Sequence, residues 1–235
     1  MSDLQTLRFY ATPAHDCSYL PGRKAKTLFV DPQAEVDDAL YSQLSDLGFR
    51  RSGSHIYRPH CDGCNACVSV RIPVREFRPT KTQRRIWRRN ADLRVEGVSP
   101  QLTIEYYRLY DRYITQRHAD GDMYPPSPSQ FMGFLVEGRQ PSTFYEFRDS
   151  EDELVAIAVT DRLDQGLSAL YTFYAPEEEK RSLGTYAILW QIEASRQAGL
   201  DYLYLGYWVR DCRKMNYKTA YHPLDMLIAD QWVRP

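Results

Sequence analysis

The chain has 235 residues, 43% hydrophobic and 26% charged, with a formal net charge of −1, a composition typical of soluble globular proteins long enough to bury a core. No stretch approaches the roughly 18 uninterrupted apolar residues of a membrane span, and Met1-Ser-Asp-Leu-Gln5 lacks the basic flank and apolar run of a secretory signal. Neither a membrane span nor a signal peptide is therefore expected, and the expected location is cytoplasmic, where an odd total of five cysteines argues for thiol or metal chemistry over a disulfide framework.

In chain order, Asp31-Pro32 predicts a helix start, with proline at the first helical position. Val36, Ala39, Leu40, Leu44 and Leu47 follow at helical spacing, and Gly48 caps them. Short strands are expected over 49–57 and 68–74, then a basic tract over 78–90. Residues 102–118 predict a helix with Tyr106, Leu109, Tyr110 and Tyr113 as its buried stripe. The proline-bearing stretch 118–129 predicts a loop, and 130–136 a short helix. The period then changes to that of strands over 142–148, 154–161 and 167–174. A helix opening at Arg181 should end at Gly199, before a strand over 202–208. The fold class is α/β (α+β): a smaller N-terminal α+β domain over 1–95 and a second domain over 96–235. The order of strands, helix, strand in the second resembles an acetyltransferase (GNAT-type) core, where the turn before the helix, here Ser182-Leu183-Gly184, presents backbone N–H groups to a ligand.

The near-zero net charge conceals a strong segregation. Arg50 to Arg94 holds twelve Lys/Arg against Asp62, Glu76 and Asp92, a local net of +9, and the remainder carries −10. The densest part, Arg75, Arg78, Lys81, Arg84, Arg85, Arg88 and Arg89, is interleaved with Phe77 and Trp87. Guanidinium groups for phosphates and aromatic faces for exposed bases suit structured RNA. The competing expectation is a solvated basic helix paired with carboxylates elsewhere.

Three cysteines crowd into Cys61-Asp-Gly-Cys64-Asn-Ala-Cys67. With Cys17 as a fourth, they have the thiolate count for a zinc or iron–sulfur site, and His15, His55 or His60 is an alternative fourth ligand for zinc. Reduced structural or redox-sensing thiols are the other reading. Cys212 stands apart and is expected to be buried, and His118 and His222 are expected to be structural.

Several segments, in this order, resemble the aminoacyl-tRNA–protein transferases, specifically their bacterial leucyl branch: His15-Asp-Cys-Ser-Tyr-Leu-Pro21, Gly48-Phe-Arg-Arg-Ser-Gly53, Ile56-Tyr-Arg-Pro-His-Cys61 through Cys67, Gly166 to Tyr174, Arg181 to Gly184, Tyr204 to Trp208 and Cys212-Arg-Lys-Met-Asn-Tyr-Lys218. The resemblance covers nearly the whole chain. It implies transfer of leucine from leucyl-tRNA to the N-terminal α-amine of proteins beginning with Asp or Glu, creating a degradation signal. It also implies two partners, charged tRNA and the acceptor protein, and no membrane.

That chemistry needs no cofactor. An α-amine with a pKa near 7.7–8.0 is partly neutral at physiological pH, and the ester to tRNA is already activated, so positioning and polarisation supply most of the acceleration. No Gly-x-Ser-x-Gly or His-Glu-x-x-His pattern is present, and no general base is assigned. Reading an acidic first residue needs paired cations in a partly dry pocket. The candidates are Arg50, Arg51, Lys214 and Lys218, with Tyr217 beside them; Arg50 and Arg51 should point to opposite strand faces. The tRNA site is expected to comprise Arg78, Lys81, Arg84, Arg85, Arg88 and Arg89 with Ser182, Leu183 and Gly184. Two alternatives from other classes are a metal-stabilised RNA-binding protein without catalysis and an acyl-CoA-dependent enzyme of acetyltransferase fold.

Overall fold

Apolar residues alternate along Leu154–Arg162 in a way that dictates how the molecule is layered. Ala156 and Ala158 pack into one core, whereas Ile157 and Val159 pack into another on the opposite sheet face. The computed structural model describes residues 4–138 and 140–235.

Its strands are β1 (Phe9–Ala11), β2 (His15–Asp16), β3 (Lys24–Ala25), β4 (Thr27–Val30), β5 (Arg50–Ser52), β6 (His55–Pro59), β7 (Val68–Pro73), β8 (Arg94–Val98), β9 (Ser142–Arg148), β10 (Leu154–Arg162), β11 (Gly166–Tyr174), β12 (Tyr202–Trp208), β13 (Asp225–Ile228) and β14 (Gln231–Val233). The helices are α1 (Asp38–Asp46), α2 (Lys81–Arg89), α3 (Ile104–Arg117), α4 (Pro128–Phe131) and α5 (Leu183–Gln197). A 3₁₀ segment, Arg213–Ala220, follows β12.

An eight-stranded sheet runs β14-β13-β7-β12-β11-β10-β9-β8. Its one parallel neighbour pair is β11 and β12, joined by α5, and this pair is in register only at Gly166↔Tyr202, Leu167↔Leu203 and Ser168↔Tyr204. Beyond those positions the strands run on to Tyr174 and Trp208 unpaired with each other, so the sheet parts there. Leu183, Tyr186, Ala187 and Ile192 of α5 and Ile86 of α2 cover one face; Tyr106, Leu109, Tyr110, Tyr113 and Ile114 of α3 cover the other. Each buried leucine or isoleucine among them contributes about 1.5–3 kcal/mol relative to exposure.

A four-stranded sheet, β1-β4-β6-β5, packs with α1 through Val30, Leu40, Tyr41, Leu44, Phe49 and Ile56, and its core takes in Leu163 and Tyr204 beside the larger sheet. The boundary expected at residue 95 falls inside β8. Both β7 and β8 belong to the large sheet, because the apolar run Val70, Ile72 finds its partner in β12, not in the N-terminal strands. The helix start expected at Asp31 is also corrected. The Asp31 carboxylate accepts from the Gln33 N–H in a turn, and α1 begins under Asp37, whose side chain accepts from the Leu40 N–H at 2.8 Å. The expected helix over 130–136 divides into α4 and a wider π turn, Met132–Val136. No helix among the described residues is long and apolar enough to cross a membrane.

Candidate functional site: a buried cation pair beside a parted sheet

The strand β12 is irregular where it matters. Its register with β7 slips between Tyr204 and Gly206, and Gly206 takes φ +77°, a left-handed conformation that favours glycine. A Cβ there would stand 3.7 Å from Lys218 Nζ and 4.0 Å from Arg50 Nε. Two cations from distant parts of the chain thus converge over a position that has no side chain. Lys218 is 7% exposed and donates to the Tyr207 carbonyl at 2.5 Å. Burial first, then the neighbouring Arg50 charge, lowers its pKa to about 7.

Arg50 is 6% exposed, and its Nη1 donates to the Ser45 and Phe49 carbonyls at 3.1 and 2.7 Å. Its Nε and Nη2 are buried without a hydrogen-bond partner. Neither cation forms an ion pair among the described residues; Arg51, by contrast, takes Asp161 at 2.7 Å. Two adjacent buried cations, one of them with unused donors, are costly unless an anion completes them.

The other acceptor-site candidates lie differently. Arg51 points to the opposite side of β5 and is consumed there: Nε and Nη2 hold Asp161 at 2.8 and 2.7 Å, Nη2 also reaches Ser142, and Nη1 donates to the Gly53 carbonyl. Tyr41 completes the network with a 2.8 Å bond to Asp161. Lys214 is exposed and paired with exposed Asp120 at 2.7 Å. Tyr217 is exposed, its ring 5.8 Å from Lys218 Nζ, at the rim of the pair. The structure therefore brings Arg50, Lys218 and Tyr217 together and places Arg51 and Lys214 outside that group.

The basic tract folds as α2 with a complete capping box between Thr80 and Gln83. Gln83 and Ile86 face inward, while Lys81, Arg84, Arg85, Arg88 and Arg89 are exposed. Some arginines outside the helix are matched, Arg75 with Asp201, Arg94 with Asp152 and Arg181 with Asp92, whereas exposed Arg108, Arg162 and Arg210 form no ion pair among the described residues. Among the described residues none of the five α2 cations forms an ion pair; Arg84 and Arg89 instead donate to the Pro79 and Lys180 carbonyls. Arg78 likewise donates to the Arg75 and Phe77 carbonyls. The pairing with carboxylates elsewhere that a solvated basic helix was expected to make is thus not seen among the described residues. Trp87, 38% exposed, adds an aromatic face against Tyr186.

The same helix is bound to the start of α5, through Arg89 to Lys180 and Asn90 Nδ2 to the Arg181 carbonyl at 2.9 Å. Ser182 there adopts φ 54°, and α5 begins without a side-chain cap. Gly184 lies against Tyr174; a Cβ would be 3.2 Å from its ring. The parted strands, the α5 N-terminus and the basic helix thus form a continuous stretch of the molecule.

Known proteins decide what this arrangement belongs to. The family model described as "Arginine-tRNA-protein transferase, N terminus" matches residues 15–85, and its C-terminal counterpart matches 105–228. The chain belongs to the arginine-tRNA–protein transferase family. A protein of Pseudomonas fluorescens (strain Pf0-1) named "Aspartate/glutamate leucyltransferase" is 58% identical over 233 residues, covering 99% of both chains. One of the same name from Marinobacter nauticus is 59% identical over 232 residues, covering 99% of this chain and 98% of that one. Among solved structures, the L-PGS from Bacillus licheniformis aligns at 12% identity with a TM-score of 0.46, over 69% of this chain and 49% of that one, too loose a likeness to bear on the fold.

For a transferase of this family the cysteines need a direct test. Cys17, Cys61, Cys64, Cys67 and Cys212 surround one region: burial, then Cys17, Cys61, Cys64 and Cys212, push the Cys67 thiol up to about 12. Among the described residues, however, no three or more His, Cys, Asp or Glu side chains stand close enough to hold a metal ion. The Cys61 thiol accepts from the Lys26 N–H at 3.4 Å, and Cys64 accepts from Arg23 at 3.7 Å. His15 turns to the Asp16 carbonyl and His55 packs on Phe29. As the side chains stand, the four thiols do not fit a zinc or cluster site, and no chemical step is routed through one.

Gly206 and Asp161 were missing from the sequence-based site. A glycine inside the strand Tyr204-Leu-Gly-Tyr-Trp208 is a signal of close approach that was available. No signal pairs Asp161 with an arginine 110 positions away.

Proposed function

We propose that this transferase moves a leucyl group from leucyl-tRNA to the N-terminal α-amine of proteins beginning with Asp or Glu. The observation that carries it is the Arg50–Lys218 pair over Gly206, two buried cations, Arg50 with two unpartnered nitrogens and neither in an ion pair among the described residues. A side-chain carboxylate entering there finds a fork of N–H donors and a point charge. Asp and Glu carry that carboxylate one or two methylenes from the Cα bearing the reacting amine. Recognition of the side chain therefore fixes the nucleophile.

The donor reading is supported by the unpaired basic face of α2 and its attachment to the α5 start. Phosphates held by Arg84, Arg85, Arg88 and Arg89 would bring the aminoacyl end of the tRNA to Ser182, Leu183 and Gly184, where the sheet parts. We read that part of the large sheet as acetyltransferase-like, on the support of the parallel β11–β12 pair that separates after three positions, with α5 between the strands in sequence. The amine attacks the ester carbonyl, the ribose oxygen departs, and the acceptor gains an N-terminal leucine, which the family resemblance equates with a degradation signal.

Purified protein incubated with radiolabelled leucyl-tRNA should label a peptide beginning with Asp and not one beginning with Asn. RNA binding without label transfer would refute the reading in favour of a binding protein, and dependence on acyl-CoA would refute it in favour of an acyltransferase of other donors.

A further inference from the structure

Transfer moves one proton from the acceptor nitrogen to the departing ribose oxygen, and none of the groups placed so far carries it. A series of adjoining polar side chains reaches the same place. Tyr174, half-buried at the end of β11, lies against Gly184; a Cβ on that glycine would be 3.8 Å from its hydroxyl. Its hydroxyl accepts from Arg117 Nη2 at 3.4 Å. The Tyr174 and Tyr113 rings are 4.8 Å apart, and after burial the Tyr174 hydroxyl is the next cause that raises the Tyr113 pKa. Tyr113 in turn stands 3.1 Å from His118 Nε2, the imidazole packed edge-on to its ring. Tyr217, at the rim of the cation pair, is near enough to Tyr113 to help raise its pKa. The series therefore runs from the α5 start, along the side of the acceptor cradle, to a single imidazole.

We propose that Tyr174 is the catalytic residue that exchanges the proton, and that Tyr113 and His118 are the residues that position and store it. The assignment rests on the transfer reaction proposed above. As the C–N bond forms, the nitrogen gives its proton to the Tyr174 oxygen, Tyr174 passes its own to Tyr113, and Tyr113 passes its own to His118 Nε2. As the C–O bond to ribose breaks, the imidazolium returns a proton along the same path to the leaving oxygen. Protons balance, and no other reactant is consumed. The neutral imidazole must carry its hydrogen on Nδ1 so that Nε2 accepts.

The surroundings of His118 favour that neutral form. Burial, Lys214 on the 3₁₀ segment and Arg117 on α3 hold its pKa below the ordinary 6.5, against the opposing charge of Asp120 on the loop after α3. Below the pKa values of both groups, turnover per encounter requires a neutral α-amine and a neutral imidazole. In that range kcat/KM of the parent should fall with the second power of proton concentration.

The test is leucyl transfer to an Asp-starting peptide by the parent, Y174F, Y113F and H118Q, with leucyl-tRNA binding, peptide binding and Tm measured alongside. Tyr174→Phe and Tyr113→Phe should lower kcat by about 100-fold, within the usual range for a lost acid–base path, with both substrate affinities kept. His118→Gln should convert the acid limb to the first power, leaving only the amine. His118 is half-buried, so this variant remains informative if Tyr113→Phe fails to fold. The parent's turnover reports on the activity itself; only the change on substitution reports on the relay. An unchanged kcat in Y174F, or a second-power acid limb retained in H118Q, would overturn it.

Discussion

Arg50 and Arg51 are consecutive residues of one strand whose guanidinium groups have opposite fates. Arg51 is fully engaged, gripping Asp161 through two parallel bonds at 2.8 and 2.7 Å. Arg50 is equally buried but keeps two nitrogens unpartnered beside Lys218. The alternation of a β-strand produces this separation. One arginine locks β5 to β10 of the large sheet, and the lock holds the other in place at the cradle.

Arg51→Ala should therefore be a stability variant. It strands a carboxylate whose side chain is 0% exposed, and removing one partner of a buried pair costs on the order of 3–5 kcal/mol. Urea unfolding should show a loss of that order. Arg50→Ala should unfold at least as late as the parent while losing the preference for Asp- over Asn-starting peptides. The reverse pattern would exchange the two roles.

Lys218 gives the site a pH dependence whose sign is fixed by its shift. The folded chain holds this proton less tightly, with a pKa of about 7 against 10.5 for the unreacted side chain. Between those values the unfolded state binds more protons, so the Lys218 contribution to stability rises with pH. Below about 7 the buried charge is present in full and is most destabilising. Lys218→Met should accordingly be stabilising near neutrality, with the advantage disappearing toward pH 10.5. An incoming carboxylate favours the charged lysine, so binding of an Asp-starting peptide should take up a proton above pH 7. Calorimetry in buffers of different ionisation enthalpy measures that uptake, and its absence in Lys218→Met assigns it.

Gly206→Ala tests the space between the cations. At φ +77° a side chain costs about 1–2 kcal/mol, and the added methyl occupies the place over which Lys218 and Arg50 converge. The Tm should fall modestly. The loss in kcat/KM should be much larger for Asp-starting peptides than for Asn-starting ones. An equal loss for both would mean that the carboxylate binds elsewhere.

Much of the fold could be read from local pattern. The alternating or apolar runs of β9, β10 and β11, the stripe Tyr106, Leu109, Tyr110, Tyr113, and the terminating glycines Gly48 and Gly199 all stand where the sequence puts them, because each is decided by neighbours along the chain. The domain division was not legible. Val70 and Ile72 look like any buried strand, and only their pairing with β12, about 130 residues later, assigns them to the large sheet. For the site, residue type suggested four cations, but which of them are neutralised depends on long-range partners. Asp161 and Asp120, both invisible as partners in sequence, remove Arg51 and Lys214, whereas the absence of such a partner among the described residues singles out Arg50 and Lys218.

The basic helix makes the tRNA contact a question of counterions. Arg84, Arg85, Arg88 and Arg89 are exposed and, among the described residues, unpaired with carboxylates. Each phosphate they neutralise should release condensed cations and add about 0.7–0.9 to the slope of log affinity against log salt. Replacing all four with glutamine should flatten that slope by about 3 if each arginine meets one phosphate. It should weaken tRNA binding most at low salt. The helix itself should survive, because its capping box and its inward face, Gln83 and Ile86, are untouched. Peptide affinity should hold as well, since the cradle is built from β5, β12 and the 3₁₀ segment. Filter binding of leucyl-tRNA over a salt series, with circular dichroism on the same samples, is the measurement. A slope unchanged from the parent would show that α2 faces solvent while the tRNA is held elsewhere. In that event the basic charge would have to be sought on Arg75, Arg78 and Arg94, of which Arg75 and Arg94 already carry acidic partners.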